Sequence, residues 1–170
     1  MRKVLGCLLI ICAGLSIPIR GLRSAKARTE LLTQIDQALQ LMELELSSGY
    51  RDLTDILEFL SERTQKDTKV FFLSLVRSLD SLGEQSFRQL WETSVHHSLR
   101  TLNSDDREKI ASLGAVLGRY DLQQQREEIS RCRWELNSEA KRMNEAWPAK
   151  VKLSLGVGLG SAILLVLALI

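Results

Sequence analysis

From Thr29 onward the apolar residues recur at intervals of three and four, not in alternation, which is the period of one face of a helix. Leu32, Ile35, Leu39, Met42 and Leu46 form one stripe, with Glu30, Asp36, Gln37 and Glu43 off it, and Gly49 closes the segment. This first helix can run unbroken back through the apolar residues that precede it. Leu53, Ile56, Leu57 and Leu60 predict a second, shorter helix ending near Gln65. Phe71, Phe72, Leu75 and Leu79 predict a third, with Asp67 as N-cap and a close near Gly83. Phe87, Leu90, Trp91, Val95 and Leu99 make a fourth; Ile110, Leu113 and Leu117 make a fifth, with Ser104 as its cap and Asp105 and Asp106 in its first turn, where acids suit the helix dipole. Asp121 caps a long sixth helix carrying Leu122, Ile129, Cys132, Leu136 and Met143 on one side. Pro148 is the first residue that interrupts it, and Trp147 before it marks a kink. No stretch alternates as a strand would.

The two ends of the pattern differ from the middle, since Val4 to Ile19 and Leu153 to Ile170 hold no charged side chain. A bilayer core of about 30 Å needs about 20 apolar residues as a helix, with a lower limit near 17. The second run meets that limit and reads as a transmembrane anchor. The first contains Pro18 and lacks a small-residue cleavage pattern, so an uncleaved membrane helix describes it better than a signal peptide. The expected architecture is therefore all-α: an antiparallel bundle of about six helices between two terminal transmembrane helices. The domains expected are residues 1–19, 20–152 and 153–170. Gly156 and Gly160 form a small-xxx-small pair that would let the anchor pack closely against another membrane helix.

Charge orients this arrangement. Arg20, Arg23, Lys26 and Arg28 form one basic collar, and Lys141, Arg142, Lys150 and Lys152 another, both facing the middle domain. The bias of Lys and Arg toward the inner leaflet places that domain in the cytoplasm with both termini across the membrane, the collars lying against anionic lipid. Between Thr29 and Ala140 there are 20 acids and 13 bases, so the bundle itself is acidic and would repel nucleic-acid phosphates. The 170 residues include 45% hydrophobic and 26% charged side chains, which suits one folded domain and excludes a disordered chain.

Little chemistry is on offer. His96 and His97 are adjacent, so on a helix they diverge and do not make the metal face of an i, i+4 pair. Cys132 lies on an apolar stripe without a second cysteine nearby and reads as a small core residue. Gly156 to Gly160 is glycine-rich but lacks the Lys-Ser/Thr of a phosphate-binding loop. Neither an enzyme site nor a cofactor nor a small-molecule substrate is expected. Acid pairs such as Glu43 and Glu45 suit solvated helix faces, or a docking surface for a basic partner.

Three segments carry a resemblance. Leu39-Gln-Leu-Met-Glu43-Leu-Glu45-Leu46, followed by Gly49 and Leu53, is one. Leu113-Gly114-Ala-Val-Leu117-Gly118-Arg-Tyr-Asp121, with Gln124 and Gln125 after it, is the second and most specific. Trp91-Glu92 is the third. Together with the two terminal apolar runs they resemble the stage III sporulation protein AB family, though Ser48 stands where that family commonly has Tyr and Asp52 where Pro often precedes the Leu. The resemblance implies a component of the channel complex between mother cell and forespore, related to the cytoplasmic domains of type II secretion F proteins. It implies a non-enzymatic adaptor on the mother-cell side that docks the stage III sporulation AA ATPase, in company with other channel-complex membrane subunits. The alternative is a passive membrane scaffold without ATPase contact. Candidate docking residues are Glu43, Glu45 and Asp121. Candidate helix-packing residues are Gly114 and Gly118, four apart on one face of the fifth helix, and Gly156 and Gly160 in the anchor.

Overall fold

In the computed structural model the backbone is described for residues 2–169 and the side chains for residues 21–149. The elements are α1 (Arg2–Ser48), α2 (Leu53–Arg63), α3 (Lys66–Ser78), α4 (Phe87–Ser98), α5 (Ser104–Ser112) and α6 (Leu122–Leu169), with short 3-10 turns at Leu79–Ser81 and Leu113–Ala115. Among the described residues there is no strand, and the six expected helices are present. The chain divides into two compact units, Glu30–Ala140 and the paired segments up to Thr29 and from Lys141. In the second of these the Thr29 hydroxyl lies 3.8 Å from Met143 Sδ. Among the described residues no helix is long and apolar enough to cross a membrane. The two runs expected to span, with Gly156 and Gly160, lie outside the residues whose side chains are described.

The bundle of Glu30–Ala140 is built by the stripes. Leu32, Ile35, Leu39 and Met42 of α1 are buried, as are Ile56, Leu57 and Leu60 of α2, Phe71, Phe72 and Leu75 of α3, and Ile129 and Leu136 of α6. α2 packs on α3, α3 on α4, and α4 on α5. α1 and α6 run antiparallel. Arg133 of α6 holds Asp36 at 3.2 Å and Glu43 at 2.7 Å, and Asn137 Nδ2 donates to Asp36 at 3.4 Å. Trp91 of α4 is wholly buried at the centre, edge-on to Phe71 with centroids 5.1 Å apart, and its Nε1–H donates to the Ile110 carbonyl at 2.8 Å.

Helix ends follow local chemistry, and four expectations about them need correction. α3 begins at Lys66, which takes a left-handed φ of 52°, and Gln65 holds the cap position. Asp67 is therefore inside the first turn, and its carboxylate accepts from the Thr101 hydroxyl at 3.1 Å instead of capping. The cap of α5 is Asn103, whose side chain accepts from the Asp106 N–H at 2.8 Å; Ser104 is the first helical residue. α5 ends at Ser112, so Leu113, Gly114 and Leu117 lie beyond it, and Gly114 and Gly118 do not share a helix face. Pro148 lies inside α6, which continues through it. One missing N–H in the middle of a long helix leaves the turns on either side with their own hydrogen bonds. Ser86, not singled out by the stripe, makes a full capping box with Gln89 at the start of α4.

Candidate docking site at one end of the bundle

Antiparallel helices place two sets of turns at opposite ends of Glu30–Ala140. The chain enters at Glu30 and leaves at Ala140 at one end, where Lys66 also meets Glu30 at 3.6 Å. At the other end α1 stops, α2 and α4 start, and the segment from Leu113 to Asp121 turns the chain into α6.

That segment is a knuckle in which Leu113, Gly114, Leu117, Gly118 and Asp121 each have a structural task. Leu113 and Leu117 are buried. Gly114 abuts Trp91 so closely that a Cβ there would sit 2.8 to 2.9 Å from Trp91 Cβ, Cγ and Cδ1. Gly118 takes φ 72°, a left-handed turn that glycine adopts without strain. Its N–H donates to Gln125 Oε1 at 3.1 Å, while Gln125 Nε2 donates to the Tyr120 carbonyl at 2.7 Å. The buried Gln125 side chain thus closes the knuckle from the first turn of α6. Asp121 Oδ1 accepts from the Gln124 N–H at 2.9 Å, the N-cap expected of it.

The candidate docking acids come to the same end but are not equivalent. Glu43 is engaged by Arg133 and lines a shallow depression of about 540 Å³ with Leu122, Arg126 and Ser130. Glu45 faces Arg51 at 3.6 Å, with both side chains partly in solvent. Asp121 serves its cap. Around them stand large apolar side chains in water: Tyr50 at 93% exposure, Leu44 at 59%, Tyr120 at 47% and Leu122 at 43%. Leu122, expected on the buried stripe of α6, is instead exposed in its first turn, while Leu44 lies off the α1 stripe and Tyr50 and Tyr120 lie in turns, where periodicity does not reach.

The Arg133 bridge leads to one expected result. Arg133→Met keeps the apolar stem but strands two partly buried carboxylates, and should lower stability by about 1–2 kcal/mol, read as a shift in urea midpoint. A lysine at Glu43 would set two cations together, so that position probes folding as much as docking.

Between the knuckle and its neighbours lies a second feature, an apolar groove of about 560 Å³. Leu53 and Leu57 of α2, Leu79 and Leu82 after α3, Phe87 of α4 and Leu117 line it, with Arg88 and Arg119. Periodicity does not reach Leu82, which falls after the helical period has ended; its signal is a leucine beside Gly83 with no stripe to join.

Cys132 is buried, with Sγ 3.7 Å from the Lys109 carbonyl. Burial pushes its thiol up to about 12 and the Glu135 carboxylate adds to the effect, against the pull of Lys109 and Arg131. A thiol so placed is not a nucleophile near neutral pH. With Cys7 and Cys12 replaced by Ser, the folded chain should resist Ellman's reagent at pH 8 and react fully in denaturant. Because the thiol ionises at higher pH folded than unfolded, its contribution to stability is intact below pH 9. It is lost as pH rises from 9 toward 12, so urea midpoints should fall across that window and less so in Cys132→Ala. His96 and His97 are exposed in the last turn of α4. Among the described residues no three His, Cys, Asp or Glu side chains converge as a metal site would require.

The sequence profile described as stage III sporulation protein AB matches residues 3–170. The chain belongs to the stage III sporulation protein AB family. A solved structure titled stage III sporulation protein AB is similar to it at 22% identity and a TM-score of 0.64, covering 72% of this chain and 97% of that one. Among curated proteins none matches. As a family member, the chain is a sporulation protein whose helical bundle is also that of the solved structure. The segment that most resembled the family, Leu113 to Asp121, is the knuckle, and its glycines and caps are explained by how the chain turns from α5 into α6.

Proposed function

We propose that this family member is a non-enzymatic membrane adaptor of the sporulation channel complex. The terminal runs span the membrane that engulfs the forespore, and the bundle faces the mother-cell cytoplasm. The turn-bearing end of the bundle docks the stage III sporulation AA ATPase, while other channel-complex subunits meet the membrane helices through faces such as Gly156 and Gly160. The observation that carries this reading is the exposure of Tyr50, Leu44, Tyr120 and Leu122 at the end of an acidic bundle where α1 stops and α6 starts. Exposed aromatic and aliphatic side chains next to charge are the make-up of a protein interface. Support also comes from α1 and α6, each helical from the apolar run to the bundle without a loop between.

The test is calorimetric titration of the full chain in lipid nanodiscs against the purified ATPase, at low and moderate salt. Adaptor binding should be saturable, weaken with salt, and fall about tenfold or more with Tyr50→Ala plus Glu45→Gln, which remove an exposed ring and a surface charge without setting a second cation beside Arg51. Absence of binding by a folded chain would leave the passive scaffold as the better reading. For topology, a cysteine at the exposed Gln65 should react with an impermeant reagent only after protoplasts are lysed; labelling of intact protoplasts would reverse the orientation.

A further inference from the structure

The groove beside the knuckle differs in charge from the surface around it. The bundle has 20 acids and 13 bases from Thr29 to Ala140, yet the charged residues lining the groove are Arg88 and Arg119. Arg88 is already satisfied, its Nε donating to Glu92 at 2.6 Å. Arg119 is exposed, makes no such pair among the described residues, and is part of the groove's lining. Leu82 is 48% exposed, and Leu53, Leu79 and Phe87 are half-buried, so the lining is apolar surface left uncovered by the bundle itself.

We propose that this groove is a second docking site, and that its occupant is an amphipathic helix of a partner protein with an acidic residue flanking its apolar face. The apolar stripe seats on Leu53, Leu79, Leu82 and Phe87, and the carboxylate pairs with Arg119. Two observations select this occupant. A small molecule would need convergent polar groups, whereas beside Arg119 the lining offers an Arg88 already held by Glu92, a Ser86 hydroxyl already accepting from the Gln89 N–H, a Gly118 N–H taken by Gln125, and the Thr54 hydroxyl. Addition of a strand needs a sheet edge, and the described residues hold no strand; a helix laid in a groove does not need one. The sign of the charge then points to an acidic segment, opposite to the basic partner that the acidic surface suits. The site is independent of the ATPase reading above, because it uses different residues and opposite charge.

The test uses the full chain in lipid nanodiscs and, as probe, a fluorescein-labelled helical peptide with leucines at i, i+3, i+4 and i+7 and glutamates flanking them. Anisotropy should rise saturably. Replacing the glutamates by lysines should weaken binding about tenfold, and Arg119→Glu should do the same to the original peptide. Combining Arg119→Glu with the lysine peptide should restore affinity, a rescue that a folding defect cannot produce. Leu82→Asp should abolish binding of both peptides with the helical circular dichroism unchanged. Absence of saturable binding, or binding indifferent to Arg119→Glu and Leu82→Asp, overturns the proposal. Self-association of the chain without peptide that disappears in Leu82→Asp also overturns it, by making a second copy the occupant.

Discussion

Gly114→Ala is expected to destabilise the bundle by about 2–3 kcal/mol, although it adds one methyl group. The added Cβ would lie 2.8 to 2.9 Å from three atoms of Trp91, which carbon atoms do not tolerate. One of those atoms is the Trp91 Cβ, so no change of rotamer at Trp91 can make room. Relief requires α4 and the 3-10 turn to move apart, and that opens the core around Trp91. The urea midpoint, followed by circular dichroism at 222 nm, gives the size of the effect. Gly21→Ala is the control: nothing lies within 4 Å of the added carbon in α1, and alanine favours a helix, so stability should hold or rise slightly. An unchanged midpoint in Gly114→Ala would mean that the close approach to α4 is absent in solution.

Trp91→Ala should have a still larger effect, about 3–5 kcal/mol, a large part of the roughly 5–15 kcal/mol that holds an ordinary domain folded. The indole fills the space bounded by Phe71, Phe87 and Gly114, and its ring contacts place Phe71 edge-on at 5.1 Å and Phe87 at 6.0 Å. It also supplies the donor at 2.8 Å for the Ile110 carbonyl near the end of α5, and without it that carbonyl loses its side-chain donor inside the core. Trp91→Phe separates the two contributions. It retains an aromatic ring but removes the N–H, so a loss of about 1–2 kcal/mol is expected, between wild type and alanine. If phenylalanine were as costly as alanine, the hydrogen bond would outweigh the packing. Combining Gly114→Ala with Trp91→Ala should give less than the sum of the two losses, since the clashes with Cγ and Cδ1 are gone while that with Cβ remains.

These expectations bear on how partner sites are mapped. Gly114 and Gly118 line the apolar groove as well as forming the knuckle, so changing either one alters fold and groove together. Arg119 and Leu82 are exposed and free of that difficulty. The same holds at the acidic surface, where Glu43 and Asp121 carry an interhelical ion pair and a helix cap, and Glu45 and Tyr50 are the cleaner probes.

Helix number and buried faces were legible in the sequence because burial on one side of a helix imposes a period of 3.6 that survives in any context. Leu32 to Met42, Phe71 to Leu75 and Leu90 to Val95 are buried as their spacing requires. The Asp121 cap was legible too, since the side-chain acceptor and the N–H it serves are three residues apart. Helix ends were less so. Asp67 and Ser104 have good capping side chains, but Thr101 claims the first carboxylate and Asn103 stands one residue ahead of the second. The relation between Gly114 and Gly118 required the tertiary structure, because Gly114 sits in a 3-10 turn against Trp91 and Gly118 in a left-handed turn beyond it, two positions that local spacing does not distinguish from one helix. Arg133 between Asp36 and Glu43, and the meeting of Leu53, Leu82, Phe87 and Arg119 around one groove, join residues far apart in the chain. Local periodicity has no term for such distances; they are decided when the helices pack.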